Sequence, residues 1–542
     1  MKKNVFCSKK CFVAIFILSA LLIPLVVACG NGGPQGGGGA AIRAPETEED
    51  KVARYDPPIT LTHVRGISSA HNVFPEGDDL TSNAFTRLIY QELGIIIEYL
   101  WYVDNLQFAT RSATMMASGE FPDFWHVDNR DFLNLARNDA VMDITELYEM
   151  WAIEELKYID STFPEGFQAG FVNGRHYGIA VLGHGIIAVP EIVWLRSDWL
   201  EATGLPVPTT TDELTALALA FMDLHTGAYG FALDGSMPGG VMGLTSIANA
   251  FGAYPRTWFY RDGEIIYGSI QPEMRDALLY LQNWFAEGII HPEFSAMDGG
   301  RVMEDITSGR VGIMSGACWA GWWPLLDSVT ADNADWLPIA IPTPDGERSN
   351  LQVGWPIWEY IVINRDCEHP EAVIKMLNYF IQAENLHGFQ HDVVPEFAGL
   401  ALQAFPVIQN RPNRTYEQLL YVHPALISGD PSGVPDLLMT YWEHAMQWKR
   451  DGDPVGYGQY VMYGALEIIR HYIYADNIIM EAIRGANPDF YESMHSSLRQ
   501  LEDETFLRII MGAPISEFDD FVEAWLDMGG RQAAEEINEE FN

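Results

Sequence analysis

Ile59-Thr60-Leu61-Thr62-His63-Val64 alternates as a strand does, and Ile95-Ile96-Ile97-Glu98-Tyr99-Leu100-Trp101-Tyr102-Val103 is an almost unbroken β-branched and aromatic run. Between them Phe85, Leu88, Ile89 and Leu93 recur at helical spacing, and Gly94 supplies a stop. A second helix is predicted from about Leu106 to Ser118, ended by Gly119, ahead of Phe121-Pro122-Asp123-Phe124-Trp125. Strand, helix, strand, helix, strand is a βαβ progression, which predicts a parallel sheet with its second strand buried on both faces. Ligands of such open sheets sit beyond the carboxyl ends of the strands. Trp125, His126, Asp128 and Asn129 follow one of those ends.

Downstream, His176–Ala180 and Ile192–Leu195 read as strands, and Thr210-x-x-Glu213 makes a capping box before Leu214, Leu217, Ala218 and Phe221. Residues 257–268 predict a hairpin turning at Asp262-Gly263, and Met274 to Glu287 a helix. Arg310–Met314 precedes the densest aromatic cluster, Trp319, Trp322 and Trp323, whose spacing on a helical turn would put them on one side. From Pro370 helices dominate, at roughly 370–385, 434–449, 457–475, 498–511 and 516–528. Ser516 and Asp519 are expected to cap the last of these, and Gly529-Gly530 to close it.

A chain of 542 residues is too long for one core, so two lobes or domains are expected. At the N-terminus, Lys2, Lys3, Lys9 and Lys10 precede an apolar run from Phe12 to Ala28, the composition of a secretory signal. Val26-Val27-Ala28-Cys29 resembles a bacterial lipobox, in which Cys29 takes two acyl chains and becomes the mature N-terminus. A Gly-rich linker follows, acidic from Glu46 to Asp50. About 28 flexible residues would reach roughly 30 Å, the dimension of a tether. No second apolar run reaches membrane-spanning length, which predicts a soluble body.

The formal net charge is -42. Loss of the signal leaves 28 basic groups against 74 acidic, or -46. Such a surface repels nucleic acid and anionic lipid headgroups, so attachment to a membrane is expected through acyl chains alone. Cys318 and Cys367 are the thiols left once Cys7 and Cys11 depart with the signal and Cys29 is acylated. They either pair or stay as buried free thiols.

In order along the chain, several motifs resemble the extracellular solute-binding proteins of ABC sugar importers, in their long lipoprotein branch. These are the Cys29 lipobox, Phe74-Pro75-Glu76-Gly77-Asp78 through Asn83, Ala117–Asp123, Trp194-Leu195-Arg196-Ser197-Asp198-Trp199-Leu200 with Gly204-Leu205, Ile363-Asn364 through His369-Pro370-Glu371-Ala372, and Ile509–Gly512 to Gly529-Gly530. The resemblance runs from about residue 58 to the end. It implies an α/β fold of the type II periplasmic-binding-protein kind: two α/β lobes, a hinge and a helical C-terminal region. On this reading residues 1–28 are a signal peptide and 29–57 a flexible tether. Residues 58–186 with 325–365 make one lobe, and 187–324 with 366–542 the other. It also implies a non-enzymatic, monomeric receptor on the extracellular face of the membrane, capturing an oligosaccharide and passing it to permease subunits. Relatives often carry an Asp/Asn-rich calcium loop. Asp223-Leu224-His225-Thr226-Gly227 offers too few oxygens, so no calcium or other cofactor is expected.

Sugar rings present apolar C–H faces that flat aromatics match, while polar neighbours orient the hydroxyls. The candidate ligand contacts are therefore Trp319, Trp322, Trp355 and Trp358. Trp125 and Asp128 join them by resemblance to the family's cleft segment, and His184 lies between two glycines at the first lobe crossing. Ordinary core packing is the competing reading for each tryptophan. His387 and His391 have a zinc-like spacing, but Gly388 weakens the helix and no HExxH surrounds them. No G-x-S-x-G elbow, P-loop or dinucleotide fingerprint is present. The alternatives are a surface-anchored glycan hydrolase using paired carboxylates and an adhesin.

Overall fold

A computed structural model describes residues 44–67, 74–183, 185–237, 241–387, 404–484 and 487–541. The signal, Cys29, the glycine run, His184 and His391 lie outside the described residues. Two separate hydrophobic cores organise the rest. The first gathers residues from Leu61 to Leu182 and from Tyr360 to Ile408, the second from Ile187 to Leu351 and from Leu419 to Ile537.

The first lobe is built on β1 (Ile59–Ile67), β2 (Ile95–Asp104), β3 (Phe124–Val127) and β4 (Gly178–Leu182). The second uses β5 (Glu191–Arg196), β6 (Tyr229–Ala232), β7 (Val311–Ala317) and β8 (Trp336–Ile339), after which β9 (Ile357–Ile363) returns to the first. β1 and β2 pair in parallel, with α1 (Ala84–Leu93) and α2 (Asn105–Ser118) as the predicted connections. Gly94, at φ 66°, closes α1. The predicted parallel sheet stops at the β1–β2 pair, because β3, β9 and β4 form a separate three-stranded sheet in which β9 runs antiparallel between the other two. β1 sits beside β3: Thr62 N donates to Asp123 Oδ2 at 2.7 Å, and the His63 ring meets the Phe124 carbonyl at 3.0 Å. Nor is β2 buried on both faces. It is an edge strand whose Ile96, Leu100 and Tyr102 are exposed while Ile95 and Ile97 enter the core.

In the second lobe the order is β8-β5-β7-β6, with β5 antiparallel to both neighbours. The capping box at Thr210 and Glu213 forms in both directions. The hairpin turns at Asp262-Gly263, each with positive φ as a type I′ turn requires. Cys318 is buried in the second core and Cys367 in the first, both as free thiols.

Three expectations about boundaries need correction. Residues 325–351 join the second core, because β8 pairs with β5, and Cys367 to Ile408 return to the first. The segment up to residue 57 is no tether throughout. Lys51 is buried, its Nζ donating to Ala152 O at 3.1 Å, while Tyr55 bonds Leu93 O and Glu371. At the other end Ser516 makes no side-chain cap, and Gly529, at φ 134°, kinks a helix pair and does not terminate it. Helices Arg414–Ser428 and Arg531–Phe541 escaped the sequence reading.

Among the described residues the chain crosses between the two cores three times, and the crossings are fastened together. Gly183 N donates to Pro356 O at 2.7 Å. Gln409 accepts from Leu182 N and donates to Ala180 O, both at 2.9 Å, and Asn410 donates to Leu182 O at 2.7 Å. At Gly185, φ 85°, a Cβ would come within 2.1 Å of Pro412 O, so only glycine fits. Gln409→Ala orphans a buried backbone donor and acceptor, at about 1–3 kcal/mol each. Urea unfolding should show a loss of about 2–6 kcal/mol. An unchanged midpoint would mean that these bonds do not hold the hinge.

Candidate ligand cleft

The ends of β3, β4, β7 and β9 converge on the crossings, and the expected site residues divide there. Trp358 is the bulged residue of β9, where the register against β4 slips between Ile357 and Glu359. Bulges of this kind re-aim side chains near functional sites. Its indole is 51% exposed and lies so close to Gly183 that a Cβ there would meet Nε1 at 3.1 Å. Trp355 is half-buried at the hinge, its ring 5.3 Å from Phe163 of the first lobe and 5.5 Å from the Arg484 guanidinium of the second. In the second lobe Trp319 and Trp322 follow the end of β7 and keep 36% and 39% exposure. The expected helical turn is a short 3-10 turn over Cys318–Gly321 that holds Trp319, with Trp322 at its C-cap and Trp323 beyond it. Trp319 stacks on Trp323, while Trp322 lies over Gly458, where any Cβ would collide with the indole.

Two expected residues do something else. Trp125 is completely buried, in the middle of β3, stacked on Phe121 at 5.0 Å. It is a core residue because the strand continues to Val127, two residues past the expected end. Asp128 is exposed at the true end of β3, but its Oδ1 accepts from Asp131 N at 2.8 Å, capping α3 (Asn129–Arg137). His184 lies outside the described residues, and so do the flanks of His387. Among the described residues no group of three His, Cys, Asp or Glu side chains is arranged to hold a metal.

Sequence reasoning missed two features, because each is assembled from distant segments. The first is a cavity of about 340 Å³ at the hinge, lined by Phe163, by Gly185, Pro356 and Pro412 of the three crossings, and by Tyr416 and Tyr474 of the second lobe. The second is a polar cluster within the first-lobe strands, with His63 on β1, His126 on β3 and Glu359 on β9. His126 faces Glu359 Oε1 through Nδ1 at 2.6 Å and the Pro406 carbonyl through Nε2 at 2.9 Å, so both ring nitrogens meet acceptors. Burial opposes the Glu359 charge, yet His126, with help from Arg65, holds that carboxyl down at about 2. Burial also keeps His63 neutral, well below its usual range. The Cys318 and Cys367 thiols are pushed up to about 12 by burial, which leaves no thiolate nucleophile at either.

Residues 100–386, just over half of the chain, match the bacterial extracellular solute-binding proteins. The chain belongs to that family. Among curated relatives, the lipoprotein LipO of Bacillus subtilis is 20% identical over 462 residues, 82% of this chain and 85% of LipO. The fructooligosaccharide ABC transporter substrate-binding protein FusA of Streptococcus pneumoniae is 28% identical over 157 residues, 26% of this chain and 28% of FusA. The solved structure of FusA in complex with kestose superposes with a TM-score of 0.65 at 16% identity, covering 89% of this chain and 98% of that one. The alginate-binding protein AlgQ2 gives 0.63 at 16% identity, covering 90% and 99%. These likenesses carry the fold: two α/β lobes of the type II periplasmic-binding-protein kind.

Within this solute-binding protein the two kinds of tryptophan separate by experiment. Trp125→Ala removes a fully buried indole and should cost about 3–5 kcal/mol of stability. The Glu359–His126 pair should show in acid. A carboxyl held below its unfolded value of 4.5 contributes stability above that value, and the contribution disappears as pH falls towards about 2. Glu359→Gln should therefore lower the unfolding midpoint at pH 7 and match the parent near pH 2. An equal deficit at both pH values would remove the ion pair from the account.

Proposed function

We propose that this protein is a lipid-anchored extracellular receptor that captures an oligosaccharide between its lobes and hands it to an ABC permease. The observation that carries this reading is the pairing of two separate cores, linked by fastened crossings, with exposed tryptophans near the strand ends of both lobes. Independent cores allow the lobes to move as bodies, and a ligand touching both selects the closed arrangement. Flat aromatics supply apolar area to sugar rings, and neighbouring polar groups orient the hydroxyls. The family membership and the fructooligosaccharide relative support a carbohydrate ligand. The lipobox at Cys29, with LipO as a lipoprotein relative, supports acyl anchoring at the extracellular face. Residues 30–43 then serve as the tether, since the packing of Lys51 and Tyr55 claims the remainder for the folded body.

Trp319, Trp322, Trp355 and Trp358 are the ligand contacts in this reading, and no bond is broken. A thermal-shift screen over neutral oligosaccharides, kestose and nystose included, tests it. Ligand at a hundredfold excess over Kd should add about 2.7 kcal/mol of stability. Trp319→Ala and Trp358→Ala should each weaken binding about tenfold or more, equivalent to at least about 1.4 kcal/mol, with little change in the apo melting temperature. Recovery of the bound glycan as fragments would replace the receptor reading by a hydrolase.

A further inference from the structure

The lobes also meet away from the crossings, and there the contact is ionic. Arg130 and Arg137 lie seven residues apart on α3 of the first lobe, two turns along one face. Opposite them is the first turn of α4 (Asp489–Ile510), in the second lobe. Arg137 Nη1 donates to Asp489 Oδ1 at 3.3 Å, and Arg130 Nη1 stands 3.6 Å from Glu492 Oε1.

Each side of this contact is braced within its own lobe. Arg130 also faces Asp131 at 3.5 Å and Asp128 at 3.9 Å. Across the gap, Asn487 Nδ2 donates to Glu492 Oε2 at 2.9 Å. The first turn of α4 is itself held by α5 (Arg531–Phe541), whose Glu536 accepts from Phe490 N and Tyr491 N at 3.2 and 3.1 Å. Glu540 of α5 completes an acidic patch: burial, Glu536 and Asp489 push its carboxyl up, and Arg137 draws it back.

We propose that these two arginines and two acids form a reversible clasp that biases the lobes towards closure. The clasp rests on the reading of the lobes as moving bodies, but not on the identity of the ligand. Its chemistry suits a contact made and broken repeatedly. Arg130, Arg137 and Asp489 are exposed and Glu492 partly so, and ion pairs of this kind are solvated on either side of the transition. An apolar contact of the same extent would resist opening through the area it buried. The charge balance gives the clasp its purpose. With 74 acidic residues against 32 basic, approaching lobes repel, and arginines placed at the gap relieve that repulsion.

Pulsed dipolar spectroscopy on the chain from residue 29 onward, with Cys29→Ser to remove the remaining N-terminal thiol, tests the clasp without any ligand. Cys318 and Cys367 are buried, so spin labels go to Tyr158→Cys in the first lobe and Ile427→Cys in the second, both well exposed. The double reversal Arg130→Glu/Arg137→Glu should raise the ratio of open to closed distances about three- to tenfold. Adding Glu492→Arg/Asp489→Arg should restore it. The milder Arg137→Gln should shift the ratio in the same direction as the reversal, and 0.5 M salt should do so in the parent. An unchanged distance distribution in the reversal, or no restoration by the swap, overturns the clasp. If kestose and other oligosaccharides leave the parent distances unmoved while the reversal still opens the lobes, the clasp stands and the oligosaccharide reading falls.

Discussion

The carboxamide of Gln409 does the work of a missing strand. β4 is the edge of its sheet, with an open row of backbone groups. An edge of that kind must be covered or it pairs elsewhere. Gln409 covers it by accepting from Leu182 N and donating to Ala180 O, the two bonds a neighbouring strand would make there. Since Leu182 opens the first crossing and Gln409 the third, these bonds both finish the sheet and fix the hinge. The second crossing is drawn into the same region by Gly183 and Pro356. With every crossing held at one place, the two cores are free to stay separate, which the whole architecture requires.

That arrangement explains which parts of the fold could be read from the sequence. Local elements were legible because their signals are local: the Gly94 stop, the Thr210–Glu213 box and the Asp262-Gly263 turn all formed as expected. Lobe membership was not, because it depends on pairing at long range. Nothing in Trp336–Ile339 announces that it will pair with β5 in the second lobe. Lys51 looks like part of an acidic linker until Ala152 and Asn378, far along the chain, receive it. The helix Arg414–Ser428 was hidden by the internal Pro424, whose cost is met by packing against the second core.

The tryptophans show the same limit within a single site. Trp125 and Trp358 look alike in sequence, each close to a strand end beside polar residues. Their fates differ through strand registration. β3 extends to Val127, so Trp125 falls mid-strand and is covered on its face of the sheet, while Asp128 at the true end becomes a helix cap. At β9 a bulge falls on Trp358 and turns it outward. Composition can propose an aromatic for a cleft, but register decides whether the indole reaches it.

Charge and aromatic recognition fit together on these grounds. A receptor carrying so large an acidic excess gains little by attracting its ligand over distance unless that ligand is cationic. Trp319, Trp322 and Trp358 are exposed neutral indoles, and the carboxylate of Glu359, held strongly ionised within β9 beside Trp358, is already matched by His126. On the proposed reading, affinity for a neutral polyhydroxylated ligand would rest on contact area and hydrogen bonds formed after closure. Both are insensitive to the surrounding field. If the lobes close as proposed, they do so against the acid excess, and for that step the placement of the few arginines would outweigh their number.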